Sequence, residues 1–289
     1  MSDPWLIIDA DYICHRAHYS MGDLSWKGAA IGVVYGFLQT IVQLEERFDT
    51  DKIAFCFDSR YSKRKEIYPA YKANRKKGLT EKEQKFEREF RRQVIKLRKE
   101  YLPEIGFRNV FMQGKREADD IIAALCVDPD RQSNRIIVTA DEDLFQCITG
   151  HVSVYNPQKR ILMTLQKFWN IYQIKPYQWS LVKAIAGCSS DNIPGVSGVG
   201  EKTALQYIRG TLKPRSKAIN KIVEAQEVGE PFETYLKLVK LPLEGTIVPT
   251  LQSNTINMQK WRHLCKKLDF ESLKLKMPKI NRQKISLDL

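Results

Sequence analysis

Residues 135–141 read RIIVTAD, an almost continuous run of apolar side chains that ends in an aspartate. WLIID (5–9) and KIAFCFD (52–58) repeat the arrangement, and RNVFM (108–112) resembles it without the terminal acid. A strand with one wet face alternates apolar and polar residues. Runs that are apolar throughout fit a parallel sheet covered by helices on both faces. Helical spacing fills the gaps between them. Residues 28–48 align Ile31, Val34, Phe37, Leu38, Ile41 and Val42, and residues 81–102 place Phe86, Phe90, Val94, Leu97 and Tyr101 three or four apart. Alternating strands and helices predict an α/β fold. After about residue 164 the pattern is mostly helical, broken at Pro176, Pro194, Pro214, Pro231 and Pro242.

Open parallel sheets bind ligands beyond the carboxyl ends of their strands. Asp9, Asp58 and Asp141 stand at such ends, and Asp143 follows closely. GKREADD (114–120) opens the helix EADDIIAALC, where Glu117 and Asp120 share a face. Four segments thus bring carboxylates to one rim. Singly, each acid has a plain structural explanation, since aspartate is ordinary at strand exits and acids favour the first turn of a helix. Together they suit hard divalent cations, which take several oxygen ligands. Two such ions about 3.5–4 Å apart activate water and stabilise a leaving oxygen in phosphoryl displacement. No histidine–cysteine spacing suggests a zinc hydrolase. The six cysteines (Cys14, Cys56, Cys126, Cys147, Cys188, Cys265) form no CxxC pair and read as free thiols of a reducing cytosol.

The 289 residues include 47 Lys and Arg against 34 Asp and Glu, a net charge of +13, and 43% hydrophobic residues fit a packed globular chain. The charge is uneven: residues 60–100 hold 16 basic and 6 acidic residues, and residues 101–150 hold 5 and 9. A cationic segment beside an acidic centre points to a polyanion; a solvated basic helix is the plainer alternative. The N-terminus has no basic n-region and residues 29–42 are too short to span a bilayer, so no signal peptide, no membrane segment and a cytoplasmic location are expected.

SDNIPGVSGVGEKTALQYI (190–208) nearly spells a phosphate-binding loop, but Glu201 stands where that motif needs lysine and the preceding SLVKAIAGC is helical in pattern. A plain glycine-rich turn is one alternative; the more specific one is a helix–hairpin–helix turn. There Gly195, Gly198 and Gly200 let backbone N–H groups approach a DNA phosphate, with Lys202 and Thr203 at the next helix start.

LIIDAD, FCFDS, YPAYKANR, EADD, TADEDLFQ and DNIPGVSGVGEKTA appear in an order that resembles the 5′ nucleases of the flap endonuclease superfamily; LCKKLDFESL resembles the ending of that family. The resemblance covers the full length. It implies a PIN-like parallel β-sheet flanked by helices in residues 1–175, a helical arch over about 60–95, and a mostly helical region at 176–289 carrying the helix–hairpin–helix. It implies Mg²⁺ or Mn²⁺, with Asp9, Asp58, Glu117, Asp119, Asp120 and Asp141 around a first ion, directly or through water. Asp141, Asp143 and Asp191 fall near a second. Lys72 and Arg75 match the arch cations that reach the scissile phosphate; Arg16, Arg64 and Tyr71 match further nucleic-acid contacts. A K⁺ ion on the backbone of Val196 and Val199 is implied as well. The expected substrate is DNA with a 5′ flap, nick or free 5′ end, or an RNA–DNA hybrid, cut by a monomer working beside replication proteins. One departure stands out: Cys188 replaces an acid of the second-metal region, which leaves a weakly active or non-cleaving branched-DNA binder as the alternative. A metal-dependent PIN-type ribonuclease would need neither hairpin nor basic arch.

Overall fold

The computed structural model describes residues 3–76, 80–127, 133–274, 276 and 278, apart from the side chains of Arg75, Lys76 and Val127. Its main sheet has six strands: β1 (Trp5–Asp9), β2 (Ile53–Cys56), β3 (Val110–Phe111), β4 (Arg135–Val138), β5 (Val152–Asn156) and β6 (Ile161–Met163). Their order is β3-β2-β1-β4-β5-β6. Every pairing is parallel except β5 with β6. β1 lies at the centre, with Leu6 opposite Ile53 on one side and Ile136 on the other.

The two-residue period sorts each central strand between two cores. Leu6, Ile8, Ile53, Phe55, Ile136 and Val138 face helices Ala10–Met21 and Gly32–Phe48, joined by Trp261, Leu264 and Phe270 from near the C-terminus. Ile7, Ala54, Cys56 and Ile137 face helix Ala118–Val127 and the later helices through Phe168, Trp179, Ile185 and Leu238. Residues beyond 164 therefore complete both faces of the sheet. Residues 252–257 flank it too: Gln252 N–H donates to Asn109 at 2.8 Å and Thr255 N–H to the Gly106 carbonyl at 2.9 Å.

Several boundaries differ from expectation for local reasons. The helix predicted over 28–48 starts at Gly32, because Lys27 and Gly28 have φ of 48° and 74° and turn a small hairpin between Ser25–Trp26 and Ala29–Ala30. The helix predicted over 81–102 begins on a Thr80–Glu83 capping box, runs as α-helix over Glu81–Lys96, and widens to a π-helical turn at Leu97–Tyr101. The β5–β6 hairpin lacks a long apolar run as a signal, since its strands are short and flank an Asn-Pro turn.

Candidate active site

The acids at the strand ends gather at one rim, held by neighbouring backbone. Asp9 caps the helix after β1, its Oδ1 accepting from Tyr12 N–H at 3.0 Å, while Oδ2 accepts from the Thr139 hydroxyl at 2.8 Å. Asp58 Oδ1 accepts from Ala118 N–H at 2.7 Å, which ties the exit of β2 to the first turn of the acidic helix. Asp141 Oδ1 accepts from Asp143 N–H at 2.8 Å. Burial first, then the charges of Asp58 and Asp141, push Asp9 up to about 7. Burial, then Asp141 and Asp9, holds Asp119 well above the ordinary carboxylate range. Burial and neighbouring carboxylates thus raise Asp9 and Asp119, an arrangement whose donor chemistry fits hard divalent cations.

Asp11, the second acid of LIIDAD, belongs to this rim and escaped the sequence reading. Its Oδ2 accepts from Asp58 N–H at 2.7 Å, and burial followed by Asp58 raises its carboxyl well above the usual range. The repeated acid two residues after the strand end was the available signal.

Two predicted site residues have other partners than expected. Asp120 is fully buried, and its oxygens accept four hydrogen bonds: from both terminal nitrogens of Arg64 at 2.7 Å, from Leu243 N–H at 2.9 Å and from Glu117 N–H at 3.1 Å. That leaves little capacity for a metal. Arg64, expected on a phosphate, is 2% exposed and spends Nε on the Leu238 carbonyl at 2.8 Å. Burial would lower its pKa, but Asp120 and Glu117 outweigh that and hold it raised. The pair is a structural clamp between the start of the basic segment, the acidic helix and the chain near residue 240.

Glu117 lies between the two environments. Its Oε2 accepts from the Lys72 ammonium and the Tyr71 hydroxyl, both at 2.9 Å, with Arg64 at 3.7 Å. Burial raises its pKa, yet Lys72 and Arg64 together bring it below the ordinary value. Tyr71 is buried and also reaches Asp191 Oδ2 at 3.2 Å. The basic segment is fastened here to the loop 188–192. Lys72 N–H donates to the Asp191 carbonyl at 2.9 Å, Asn74 to the Ser189 carbonyl at 3.2 Å, and Asn192 to the Ala70 carbonyl at 2.8 Å. The Arg75 side chain lies outside the described residues. Arg16 is exposed beside Tyr12, away from these hydrogen bonds.

Among the described residues one trio brings metal-donor atoms within 4.8 Å of one another: Asp143, Cys188 and Asp191. The strand-end carboxylates are not drawn together that closely. Lys183, also unforeseen, places its ammonium 3.2 Å from Asp143 Oδ1. Burial, then Asp141, raises Asp143 to about 6, against the pull of Lys183.

The glycine loop joins helices Trp179–Ala186 and Glu201–Ile208. Gly195 has φ +68°, and a Cβ there would stand 2.3 Å from Gly187 N, so only glycine fits the close approach. Gly198 has φ +77°, and Gly200 caps the second helix. Val196 and Val199 are buried, while Lys202 is exposed and Thr203 half-buried. The Lys221 ammonium donates to the Ser197 carbonyl at 3.0 Å.

Residues 4–173 match the family model described as 5′-3′ exonuclease, N-terminal resolvase-like domain. The chain is 32% identical over 250 residues to the thermostable DNA polymerase I of Thermus caldophilus, covering 85% of this chain and 28% of that protein. DNA polymerase I of Mycobacterium leprae is 32% identical over 272 residues, 89% of this chain and 28% of the relative. The chain thus spans little more than a quarter of these curated relatives. Zinc-bound T5 5′-exonuclease shares the fold with a TM-score of 0.69 at 23% identity, covering 83% of this chain and 90% of that one. Human GEN1 in complex with Holliday junction DNA gives 0.60 at 14%, covering 92% and 68%. No helix among the described residues is long and apolar enough to cross a membrane.

Proposed function

From the premise that the chain belongs to the 5′-3′ exonuclease N-terminal resolvase-like family, we propose that it is a divalent-metal-dependent 5′ nuclease. Its substrate is DNA with a flap, nick or free 5′ end, or the corresponding RNA–DNA hybrid. The carrying observation is the rim where burial and neighbouring carboxylates raise Asp9, Asp11 and Asp119, next to a segment with 16 basic residues. DNA polymerase I relatives, T5 5′-exonuclease and DNA-bound GEN1 support the direction of this reading.

In this proposal Asp9, Asp58, Glu117, Asp119 and Asp141, with Asp11, hold a first Mg²⁺ or Mn²⁺, and Asp143 and Asp191 border a second site. Bound metal supplies an activated water and neutralises the oxygen that leaves phosphorus. The chain's own residues position the substrate. Lys72, now on Glu117, turns its ammonium to the scissile phosphate, where charge grows in the transition state. Arg75 and Arg16 add positive charge on the approach, and Tyr71 fixes Glu117 and Asp191. The glycine hairpin grips duplex phosphates through Gly198, Gly200, Lys202 and Thr203. K⁺ at the Val196 and Val199 carbonyls belongs to the same proposal, although Lys221 already brings a positive charge to Ser197 beside them. Action as a monomer with replication proteins, and the division at residue 175 into a nuclease domain and a hairpin-bearing domain, complete the reading.

A labelled 5′-flap substrate incubated with Mg²⁺, Mn²⁺ or EDTA tests it. Product should form with either metal and vanish with EDTA. The second reading, a branched-DNA binder without cleavage, is favoured by Cys188 and by the Lys183 ammonium on Asp143. Tight flap binding with no product in any lane would establish it instead.

A further inference from the structure

Cys188 does not stand apart from the acids around it. Its Sγ and one oxygen each of Asp143 and Asp191 lie within 4.8 Å of one another, and all three residues are half-buried. Their backbones are held by hydrogen bonds. Cys188 exchanges hydrogen bonds with Ile193 at 2.8 and 2.9 Å, Asp191 N–H donates to the Cys188 carbonyl at 3.1 Å, and Asp143 is anchored on Asp141. A tetrahedral ion with bonds of about 2.0–2.3 Å needs donors about 3.3–3.8 Å apart. The present separations reach no more than 4.8 Å. The Lys183 ammonium, 3.2 Å from Asp143 Oδ1, is the cation with which a metal would compete for that carboxylate.

The donor set decides which cation suits the pocket. Magnesium prefers six oxygens in octahedral order and dehydrates reluctantly. A sulfur with two carboxylate oxygens matches zinc and other borderline or soft ions, leaving a fourth position for water. We propose that Asp143, Cys188 and Asp191 form a mixed thiolate–carboxylate site that takes a zinc-class divalent cation in preference to magnesium. On binding, the sulfur–metal bond forms as the S–H bond breaks, and the proton passes to solvent. The site rests on the metal-dependent reading above, and it divides the rim into an oxygen-only half that takes magnesium and a sulfur-bearing half that does not.

Titrating the DNA-free full chain with Cd²⁺ tests this through the ultraviolet thiolate-to-metal charge-transfer band. The wild type should develop the band and resist excess Mg²⁺. Cys188→Ser should lose it and weaken cadmium binding about tenfold or more. Cys188→Asp should also lose the band but gain Mg²⁺ affinity, which keeps the test decisive should the serine variant fold poorly. Zn²⁺ should shield the Cys188 thiol from maleimide, and Asp143→Asn should remove that shielding. Equal cadmium uptake by wild type and Cys188→Ser, or labelling that zinc leaves unchanged, overturns the site. Flap cleavage in Mg²⁺ is scored separately. A chain that cleaves but shows no Cys188-dependent band refutes the thiolate site alone; one that shows the band but never cleaves refutes the nuclease alone.

Discussion

Asp120 is buried against Arg64 with four hydrogen bonds on its two oxygens, while one residue earlier Asp119 faces Asp141, Asp9 and Asp58. The first carboxylate is satisfied by protein. The second is raised by burial and by its acidic neighbours, against the pull of Lys72. Sequence proximity hides this division, because a helix turns its successive side chains about 100° apart. Asp120 has a cationic partner of its own and ties the fold together, whereas Asp119 is pressed by neighbouring carboxylates.

Asp119→Asn should have the largest effect. It should cut metal-dependent turnover about 10³-fold, roughly 4 kcal/mol in barrier, while flap binding persists. Since it removes one of several like charges, the metal-free chain should melt no lower than the wild type. A destabilised variant with intact turnover would place Asp119 on the structural side of the divide.

Arg64→Met should behave in the opposite way. It leaves the Asp120 carboxylate buried with only its two backbone donors, a loss of about 3 kcal/mol of stability by denaturant unfolding. Loss of DNA affinity with stability unchanged would return Arg64 to the role first expected of it.

The rim also gives the metal-free chain a pH dependence whose sign follows from the raised acids. Asp9 at about 7 and Asp143 at about 6 hold protons in the folded chain that they lose near pH 4 when unfolded. Their contribution to stability is full below the unfolded value and disappears as pH rises through the folded ones. Metal-free stability should fall from pH 4 to about 6 through both groups, and on to about 7 through Asp9, by up to about 1.4 kcal/mol per pH unit for each. Added Mg²⁺ should flatten the slope. A flat metal-free profile would mean that the rim is already neutralised.

The apolar runs at residues 5–9, 52–58 and 135–141 revealed the central strands because both faces of each are buried. The same runs located Asp9, Asp58 and Asp141, since the exit of a parallel strand is fixed once its direction is known. The Arg64–Asp120 clamp was not legible: its partners are 56 residues apart, and only the packed fold brings them together. The family resemblance placed Asp191 near the second-metal region, whereas Lys183 and the attachment of loop 188–192 to the basic segment had no signal in it. Charge patterns along a chain report where acids and bases are numerous, not which of them neutralise each other.

That attachment provides the smallest and finest test, because it joins the oxygen-only half of the rim to the sulfur-bearing half. Asn192 sits in the left-handed region at φ 59° and donates to the Ala70 carbonyl, two residues before Lys72. Asn192→Ala loses this exposed hydrogen bond, about 0.5–1 kcal/mol, and puts a non-glycine residue without local polar compensation in a left-handed turn. Asn192→Gly loses the same bond but relieves the turn, so it should be the more stable of the two by about 1 kcal/mol. Turnover separates anchoring from turn geometry. If the side chain positions Lys72, both variants should lose kcat alike despite their different stabilities. If activity instead follows stability, with glycine near wild type, the link to Ala70 is packing and the two halves of the rim work independently.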